Sequence, residues 1–193
     1  MCSYAKRLFW FIVGYWIVFR GKLLAARGIR FIGFPVIRNS GTIEIGKFSS
    51  IRSSGSSTAM GVITPVVLNA MTPDAMIKIG DQVGISGAVI CAKRSIQIGD
   101  RVLLGSGVVI CDTDFHSLDY NIRGTDQDLI DAAVAPVRVG NDCFIGGRAM
   151  ILKGVTVGDR SIVGAGSVVV KDVPSDVVVA GNPARIVKRL NGC

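Results

Sequence analysis

The chain of 193 residues contains a single histidine, His116, and three aspartates lie close to it. The stretch reads Asp112-Thr113-Asp114-Phe115-His116-Ser117-Leu118-Asp119. An imidazole beside a carboxylate is suited to act as a general base, because the carboxylate fixes the ring tautomer. In an extended segment, Asp112 and Asp114 point to the same side as His116. Asp119 is also within range, so the sequence leaves open which aspartate orients the ring and which holds a substrate hydroxyl.

Other kinds of chemistry lack their usual residues. One histidine cannot supply a three-histidine zinc site, so no metal is expected. The sequence has no G-x-S-x-G and no Walker loop, which argues against serine hydrolysis and phosphoryl transfer by the usual sites. Cys111 lies near His116, but its position continues a strand face and nothing marks the thiol as activated. On the residues alone, general base catalysis by His116 and a non-catalytic, hydrogen-bonded histidine both stay open.

The stretch that follows His116 repeats with a period of six. Gly comes directly after the aliphatic residue in four of the six units. A helix repeats near 3.6 residues and a strand near 2, so this pattern predicts short strands joined by tight corners. The aliphatic side chains would point inward, and Gly would take backbone angles that other residues avoid. The repeating aliphatic residues are Val139, Ile145, Ile151, Val157, Val163 and Val169.

The same period is visible earlier in the chain, with interruptions. It is frayed from residue 31 to 78, recovers from Ile79 to Ile110, stops for about 25 residues and resumes at Val139. Three hexapeptides make one triangular turn, so the sequence predicts an all-β, parallel β-helix of about five coils over residues 31–180. Residues 112–136 would form one long inserted loop, and such loops commonly carry function.

Both ends of the chain differ from the repeat. Of the net charge of +8, nearly all the excess lies before the first acidic residue, Glu44. Basic residues flank the apolar run 8–19, which is shorter than the ~20 residues of a membrane-spanning helix. Residues 1–30 are therefore predicted to form an apolar, basic helix that contacts an anionic membrane surface, the base of the β-helix or a partner subunit. Residues 181–193 would form a cap with a short helix. The five cysteines show no CxxC and indicate a reduced, cytosolic protein.

These motifs together resemble those of a known family. The repeats, the D-T-D-F-H-S-L-D loop and the ending I-V-G-A-G-S-V-V-V-K-D-V-P…A-G-N-P-A-R-I-V-K are similar to those of the hexapeptide-repeat acyltransferases. The likeness is greatest to the sugar O-acetyltransferases, which include the galactoside, maltose, Nod-factor and capsule or exopolysaccharide enzymes. It covers about residues 43–190.

The resemblance implies a left-handed β-helix that assembles as a homotrimer, with active sites in the clefts between subunits. His116 would take a proton from a sugar hydroxyl, which attacks the thioester of acetyl-CoA without a covalent enzyme intermediate. Backbone N–H groups at the coil corners would stabilise the oxyanion. The family's acceptor-side Asn falls near Ser86, and Asp119 is a second candidate on that side. The residues implied for CoA are Phe144, Gly147, Ala165, Val170, Lys171, Arg185 and Lys188.

The resulting functional prediction is an acetyl-CoA-dependent sugar O-acetyltransferase of cell-surface polysaccharide synthesis. It is expected in the cytoplasm, at the inner face of the membrane, and without a nucleic acid partner. Three alternatives stay open: N-acetylation of an amino sugar, acetylation of a drug, and a non-catalytic, membrane-associated β-helix. The non-catalytic alternative predicts that CoA does not bind.

Overall fold

The computed structural model describes residues 13–14 and 16–190, and their strands lie in three sheets. Sheet A contains β1 (Leu24–Ala25), β4 (Thr42–Ile45), β7 (Met76–Ile79), β10 (Ser95–Ile98), β13 (Val137–Val139) and β16 (Thr156–Val157). Sheet B contains β2 (Arg30–Ile32), β5 (Ser50–Arg52), β8 (Gly84–Ser86), β11 (Leu103–Leu104), β14 (Phe144–Ile145), β17 (Ile162–Val163), β19 (Val177–Gly181) and β20 (Ala184–Arg189). Sheet C contains β3 (Val36–Asn39), β6 (Val67–Ala70), β9 (Val89–Ala92), β12 (Val109–Cys111), β15 (Met150–Ile151) and β18 (Val168–Val169).

The chain visits the sheets in the order A, B, C and returns to A, with each strand parallel to the strand one turn earlier. This arrangement is a three-sided parallel β-helix, as the repeat predicts. The described residues form six complete turns, so the expectation of about five coils is wrong. The first turn begins at β1, inside the stretch 1–30 that was expected to be helical, and its strands lack the clear hexapeptide pattern. Residues 13–14 and 16–20 are helical, whereas residues 1–12 of the predicted N-terminal helix lie outside the described part.

The core consists of columns of aliphatic side chains that stack turn on turn. On sheet C, for example, Leu68, Ile90, Ile110 and Ile151 are in register, and each is fully buried. All six repeating aliphatic residues from Val139 to Val169 are buried in the same way, as predicted. Continuous burial of such columns is what stabilises a solenoid, because each turn contacts only its neighbours.

The glycines of the repeat serve close packing between turns rather than unusual backbone angles. A Cβ atom at Gly140 would lie 2.3 Å from the Asp159 carboxylate, and one at Gly146 would lie 2.6 Å from the Ala165 nitrogen. Neither glycine has a positive φ. The left-handed conformation falls instead on corner residues such as Asp142 (φ 58°) and Arg160 (φ 57°). The expected reason for glycine was therefore wrong, although the positions were right.

Three edges join the sheets, and two of them matter for function. The B–C edge is where the chain passes from sheet B to sheet C, and it carries an ordered loop at residues 53–66, between β5 and β6. The C–A edge is where the chain passes from sheet C to sheet A. An insert of residues 112–136 leaves there, between β12 and β13, and contains the short helix Asp128–Asp131. Sheet C thus lies between the two edges that carry insertions.

The end of the solenoid is a strand and not the predicted short helix. After Gly181, the chain reverses through a cis peptide bond between Asn182 and Pro183 and returns as β20, antiparallel to β19. β20 extends sheet B by one strand because β19 otherwise leaves its N–H and C=O groups unpaired at the edge of the sheet.

Candidate active site

The insert is fastened to the solenoid by the carboxylate of Asp112. This side chain is fully buried at the C–A edge. Its Oδ1 accepts a hydrogen bond from the backbone N–H of Lys93 at 2.7 Å, and its Oδ2 accepts from the N–H groups of Arg94 and Ser95, each at 2.7 Å. With both oxygens occupied by the previous turn, Asp112 holds the base of the insert and does not orient His116.

Asp128 is the residue that orients His116. The Nδ1 atom of His116 lies 2.8 Å from Asp128 Oδ2. The same carboxylate accepts hydrogen bonds from the N–H of Ser117 at 2.6 Å and of Gly124 at 2.8 Å. The Asp128 side chain is only 5% exposed, whereas the imidazole is 64% exposed. A buried carboxylate therefore holds one nitrogen of a ring whose other side faces solvent.

These bonds fix the ionisation of Asp128 and the tautomer of His116. The hydrogen bond from His116 and those from the Ser117 and Gly124 amides lower the pKa of Asp128 to about 2. At neutral pH the carboxylate is ionised and can only accept hydrogen bonds. The hydrogen of the His116–Asp128 contact must therefore reside on Nδ1. A neutral ring then carries its lone pair on Nε2, which is the state required of a general base.

The backbone next to His116 is held in an uncommon conformation. Phe115 has φ of +64°, and its N–H donates to the hydroxyl of Thr113 at 3.2 Å. The left-handed region is unfavourable for a bulky residue and persists only where the surroundings enforce it. On the other side, Arg123 donates from Nε to the carbonyl of Ser117 at 2.9 Å. His116 is thus fixed by contacts on both of its neighbours.

Two further aspartates near His116 also have other partners. Asp114 forms an ion pair with Lys153 at 2.8 Å, which ties the insert to the next turn at the C–A edge. Asp119 accepts from the backbone N–H of Asn121 at 2.9 Å, within a local turn. The prediction that Asp112, Asp114 or Asp119 orients His116 is therefore wrong. Asp128 was missed because it lies 12 residues from His116 across an irregular loop, where no periodicity relates the two positions.

The described cysteines are not activated. Cys91, Cys111 and Cys143 are free thiols, and burial raises the pKa of each of them. A raised pKa leaves less thiolate, the reactive form, at neutral pH. Cys111 is therefore unsuited to a Cys–His nucleophile, as the sequence indicated. Cys2 and Cys193 lie outside the described residues.

The B–C edge presents backbone donors at the positions implied for CoA. Gly147 and Ala165 occupy equivalent places on successive turns, and the carbonyl of Gly147 accepts from Gly166 N–H at 2.9 Å. In the described residues, the N–H groups of Ser106, Gly147 and Ala165 are not among the donors of backbone hydrogen bonds. They form a column with the strand spacing of about 4.8 Å. The side chains along this column are small.

The remaining candidate residues lie on three parts of the surface. Phe144 is 45% exposed on the outer face of sheet B, and Arg185 and Lys188 lie exposed on β20 at the end of the same sheet. Val170 and Lys171 are exposed just after β18, near the C–A edge. Ser86 ends β8 at the B–C edge. Within one chain, His116 and the Gly147–Ala165 column are therefore on opposite sides of sheet C and do not form a single pocket.

No helix in residues 13–14 and 16–190 has the length and apolar character needed to cross a bilayer. In the same part of the chain, no group of three or more His, Cys, Asp and Glu side chains is arranged to hold a metal ion.

Comparison with known proteins finds the same repeat and several related acetyltransferases. A model for the hexapeptide repeat of succinyl-transferases matches residues 136–171. The galactoside O-acetyltransferase of Escherichia coli is 37% identical over 97 residues, which are 50% of this chain and 45% of that enzyme. A probable acetyltransferase of Mycobacterium tuberculosis is 30% identical over 188 residues, covering 93% of this chain and 57% of the relative. The chain thus spans about half the length of these curated relatives.

A solved structure extends the similarity to the fold. The hexapeptide-repeat acetyltransferase of Vibrio cholerae, in complex with acetyl-CoA, shares 31% identity and a TM-score of 0.52. The alignment covers 78% of this chain and 61% of that one. Sequence, repeat and fold therefore all make the chain similar to the hexapeptide-repeat acetyltransferases.

Proposed function

We propose that the protein transfers the acetyl group of acetyl-CoA to a hydroxyl group of a sugar, with His116 as the general base. The observation that carries this proposal is the exposed imidazole whose Nδ1 is held at 2.8 Å by the ionised, buried Asp128. A ring held in this way has an acceptor nitrogen directed away from the protein, ready for the proton of an alcohol.

The reaction follows from that geometry. Nε2 of His116 takes the proton of the sugar hydroxyl while its oxygen attacks the thioester carbonyl. The oxyanion that develops is stabilised by backbone donors, for which the N–H groups of Ser106 and Gly147 are suitably placed on the B–C edge. The C–S bond then breaks, and the proton held by His116 passes to the departing thiolate of CoA. The products are the acetylated sugar and CoA, and the imidazole returns to its initial state.

The two halves of this site require a second copy of the chain. The outer face of sheet C bears an apolar row in register, from Val67 and Val89 through Val109 to Met150. This row lies between the edge that carries His116 and the edge that carries Gly147. A closed three-fold ring with the C sheets inside brings the C–A edge of one subunit to the B–C edge of the next. A homotrimer with three composite sites is therefore part of the proposal.

We assign CoA to the B–C edge and to the residues near it. The column of free N–H groups at Gly147 and Ala165 suits the amide carbonyls of the pantetheine arm, and Phe144 offers an apolar surface beside it. The cations of Arg185 and Lys188, on β20, are available to phosphate groups. Val170 and Lys171 lie near the C–A edge instead, so in the trimer they would reach CoA from the other subunit.

The acceptor is proposed to be a glycan intermediate of cell-surface polysaccharide synthesis, presented at the membrane. Near the first turn, Trp16 and Phe19 are 54% and 75% exposed, and the Arg20 guanidinium lies 5.7 Å from the Trp16 ring centroid. Exposed aromatic side chains with cations beside them favour an anionic bilayer surface.

Substitution of Trp16 and Phe19 by Ser should release the protein from anionic vesicles in a sedimentation assay. Deleting residues 1–30 would be less informative, since it removes β1 and part of β2.

The first test combines calorimetry with an activity assay. CoA and acetyl-CoA should bind the wild type and His116→Ala with similar affinity, because the imidazole serves the chemistry. Loss of the thioester in the presence of a panel of sugars should fall by about 10²–10⁴-fold in His116→Ala. Asp126→Asn, in the same insert and exposed, serves as the control and should retain activity. Failure of CoA to bind any of these proteins would overturn the transferase proposal, and acetylation of only the amino-sugar nitrogens would replace it with N-acetylation.

A further inference from the structure

The loop at residues 53–66 is the second ordered insertion in the solenoid and has no role in the site described above. Its base is closed by a hydrogen bond from the N–H of Val66 to the Ser53 hydroxyl at 3.1 Å. Its turn is fixed by a bond from the Thr58 hydroxyl to the carbonyl of Gly61 at 3.1 Å. The loop is therefore organised by its own polar groups and not by the apolar residues at its tip.

The loop follows the B–C edge upward from the second turn. The hydroxyl of Thr64 donates to the carbonyl of Gly87 at 3.3 Å, on the third turn. A Cβ atom at Gly87 would lie 2.6 Å from Val62, and one at Gly107 would lie 3.6 Å from the Ile63 side chain. Gly107 follows β11, on the fourth turn. Ile63 thus reaches the level of Ser106, at the lower end of the column of free N–H groups.

Ile63 and the base of the insert that carries His116 belong to the same level of the molecule, on opposite sides of sheet C. The insert that carries His116 leaves β12, which completes the fourth turn. A rotation about an axis parallel to the solenoid does not change the height of any residue. In the trimer proposed above, Ile63 of one subunit would therefore face His116 of the next.

The chemistry of the facing surfaces points to a kind of substrate. No residue from 53 to 66 is charged. Met60 is 91% exposed and Ile63 is 61% exposed at the tip of the loop. On the insert, Leu118 and Tyr120 are 78% and 81% exposed. Exposed apolar groups concentrated on both sides of one cleft indicate an apolar partner.

We propose that the 53–66 loop forms one wall of the acceptor pocket of the neighbouring subunit, and that Met60 and Ile63 select acceptors with an apolar group beside the reactive hydroxyl. This inference rests on the proposed function and its trimer. The selected substrates are glycosides with an alkyl or lipid aglycone, in preference to free sugars or charged glycans.

Cross-linking tests the geometry without requiring a known acceptor. In the double variant Ile63→Cys with Leu118→Cys, a short bismaleimide should join neighbouring subunits and give covalent dimers and trimers on a denaturing gel. Each single variant and the wild type report the background from native cysteines. The pair Ile63→Cys with Met76→Cys is the matched control, since Met76 lies on sheet A and should not be joined to Ile63. A trimeric protein that binds CoA but gives no specific cross-link would overturn this inference and leave the proposed function intact.

Acceptor kinetics test the selectivity. The wild type should prefer octyl β-galactoside to methyl β-galactoside in kcat/KM. Ile63→Ser and Met60→Ser should each reduce that preference by roughly tenfold, the usual effect of a lost apolar contact. The KM for acetyl-CoA should not change, because the loop lies below the Gly147–Ala165 column that is assigned to CoA. An equal octyl-to-methyl ratio in the wild type and both variants would exclude a selective role for the loop.

Discussion

At the residue scale, one carboxylate determines what His116 can do. Asp128 accepts three hydrogen bonds, from the imidazole and from the backbone of Ser117 and Gly124. The imidazole bond fixes the tautomer, and the two amide bonds fix the position of the carboxylate. The orientation and the tautomer of the ring are therefore set before any substrate arrives, which is the condition for an efficient general base.

Replacing Asp128 by Asn should change the tautomer of His116 while nearly keeping the position of the side chain that contacts it. The amide is nearly the same size but can donate to Nδ1, which would move the ring hydrogen to Nε2. We expect kcat to fall by about 10²–10⁴-fold with little change in KM for acetyl-CoA. Because His116 is the only histidine in the chain, nitrogen NMR of the imidazole reports its tautomer without overlap. Asp126→Asn is the control; unchanged activity and tautomer in Asp128→Asn would contradict the assignment.

The depressed pKa of Asp128 also predicts how the insert responds to acid. A carboxylate whose folded pKa lies below its unfolded value contributes stability above the unfolded pKa, and that stability is lost as the pH falls through the folded pKa. For Asp128 this window runs from 3.8 down to about 2. Hydrogen exchange at the Ser117 and Gly124 amides should accelerate within that window, as measured by mass spectrometry. Acceleration already above it would show that another group controls the insert.

His116 could be singled out from the sequence as a candidate, whereas its partner could not. The histidine is unique in the chain and lies where a regular repeat stops, and both features are visible without a structure. Asp128 has neither signal. Asp112 and Asp114 are nearer in sequence, but the fold uses them to fasten the insert to the turns below and above it.

At the element scale, side chains on the edges hold successive turns in register. On the edge between sheets A and B, Asp81 accepts from the Lys47 N–H at 2.7 Å, Asp100 from the Asp81 N–H at 2.8 Å, and Asp159 from the Asn141 N–H at 2.7 Å. Each carboxylate thus satisfies a backbone donor of the preceding turn. The residue before each donating N–H is a glycine, such as Gly140 before Asn141. The missing side chain allows the two turns to approach closely enough for this contact.

Asp112 should be the most sensitive of these edge residues. Asp112→Ala would leave the N–H groups of Lys93, Arg94 and Ser95 without their acceptor, and we expect the free energy of unfolding to fall by roughly 1–3 kcal/mol. Urea unfolding followed by circular dichroism measures the change. Asp119→Ala, exposed in the same insert, should leave the unfolding midpoint unchanged. A similar loss in both variants would mean that the buried contacts of Asp112 are not the cause.

The C-terminal strand shows where local sequence was ambiguous. Basic and apolar residues in Arg185-Ile186-Val187-Lys188-Arg189 fit an amphipathic helix as well as an exposed strand. The outcome was decided by tertiary context, because β19 offers an unpaired edge and β-branched residues favour strands. The choice could not be made from the segment alone.

At the scale of the whole molecule, the proposed trimer would join the two halves of the proposed site. Val109→Asp would place a charge in the middle of the apolar row on sheet C, with no partner when three such faces meet. We expect a folded monomer by analytical ultracentrifugation and loss of activity, since His116 and Gly147 would no longer meet. Thr156→Asp, on the outer face of sheet A, should remain trimeric and active. An active Val109→Asp monomer would contradict the composite site.

The period of six was sufficient to predict the solenoid but not its length. The later turns keep the pattern because the backbones of successive turns approach equally closely at each corner. The first turn, from β1 to β3, lies beside the helical residues 16–20, and Ile17 and Leu23 contribute to its core. Helix contacts there replace part of the repeat, so the sequence signal for this turn is weak.

The reversed direction of β20 has a consequence for solubility. A parallel solenoid that ended on β19 would present the same hydrogen-bonding pattern as any of its internal turns, and a second molecule could add its first turn there. β20 runs the other way and carries Arg185, Lys188 and Arg189 on the outermost strand. A molecule approaching along the axis meets an antiparallel rim with three positive charges. End-to-end addition of a second molecule through sheet B is thereby discouraged.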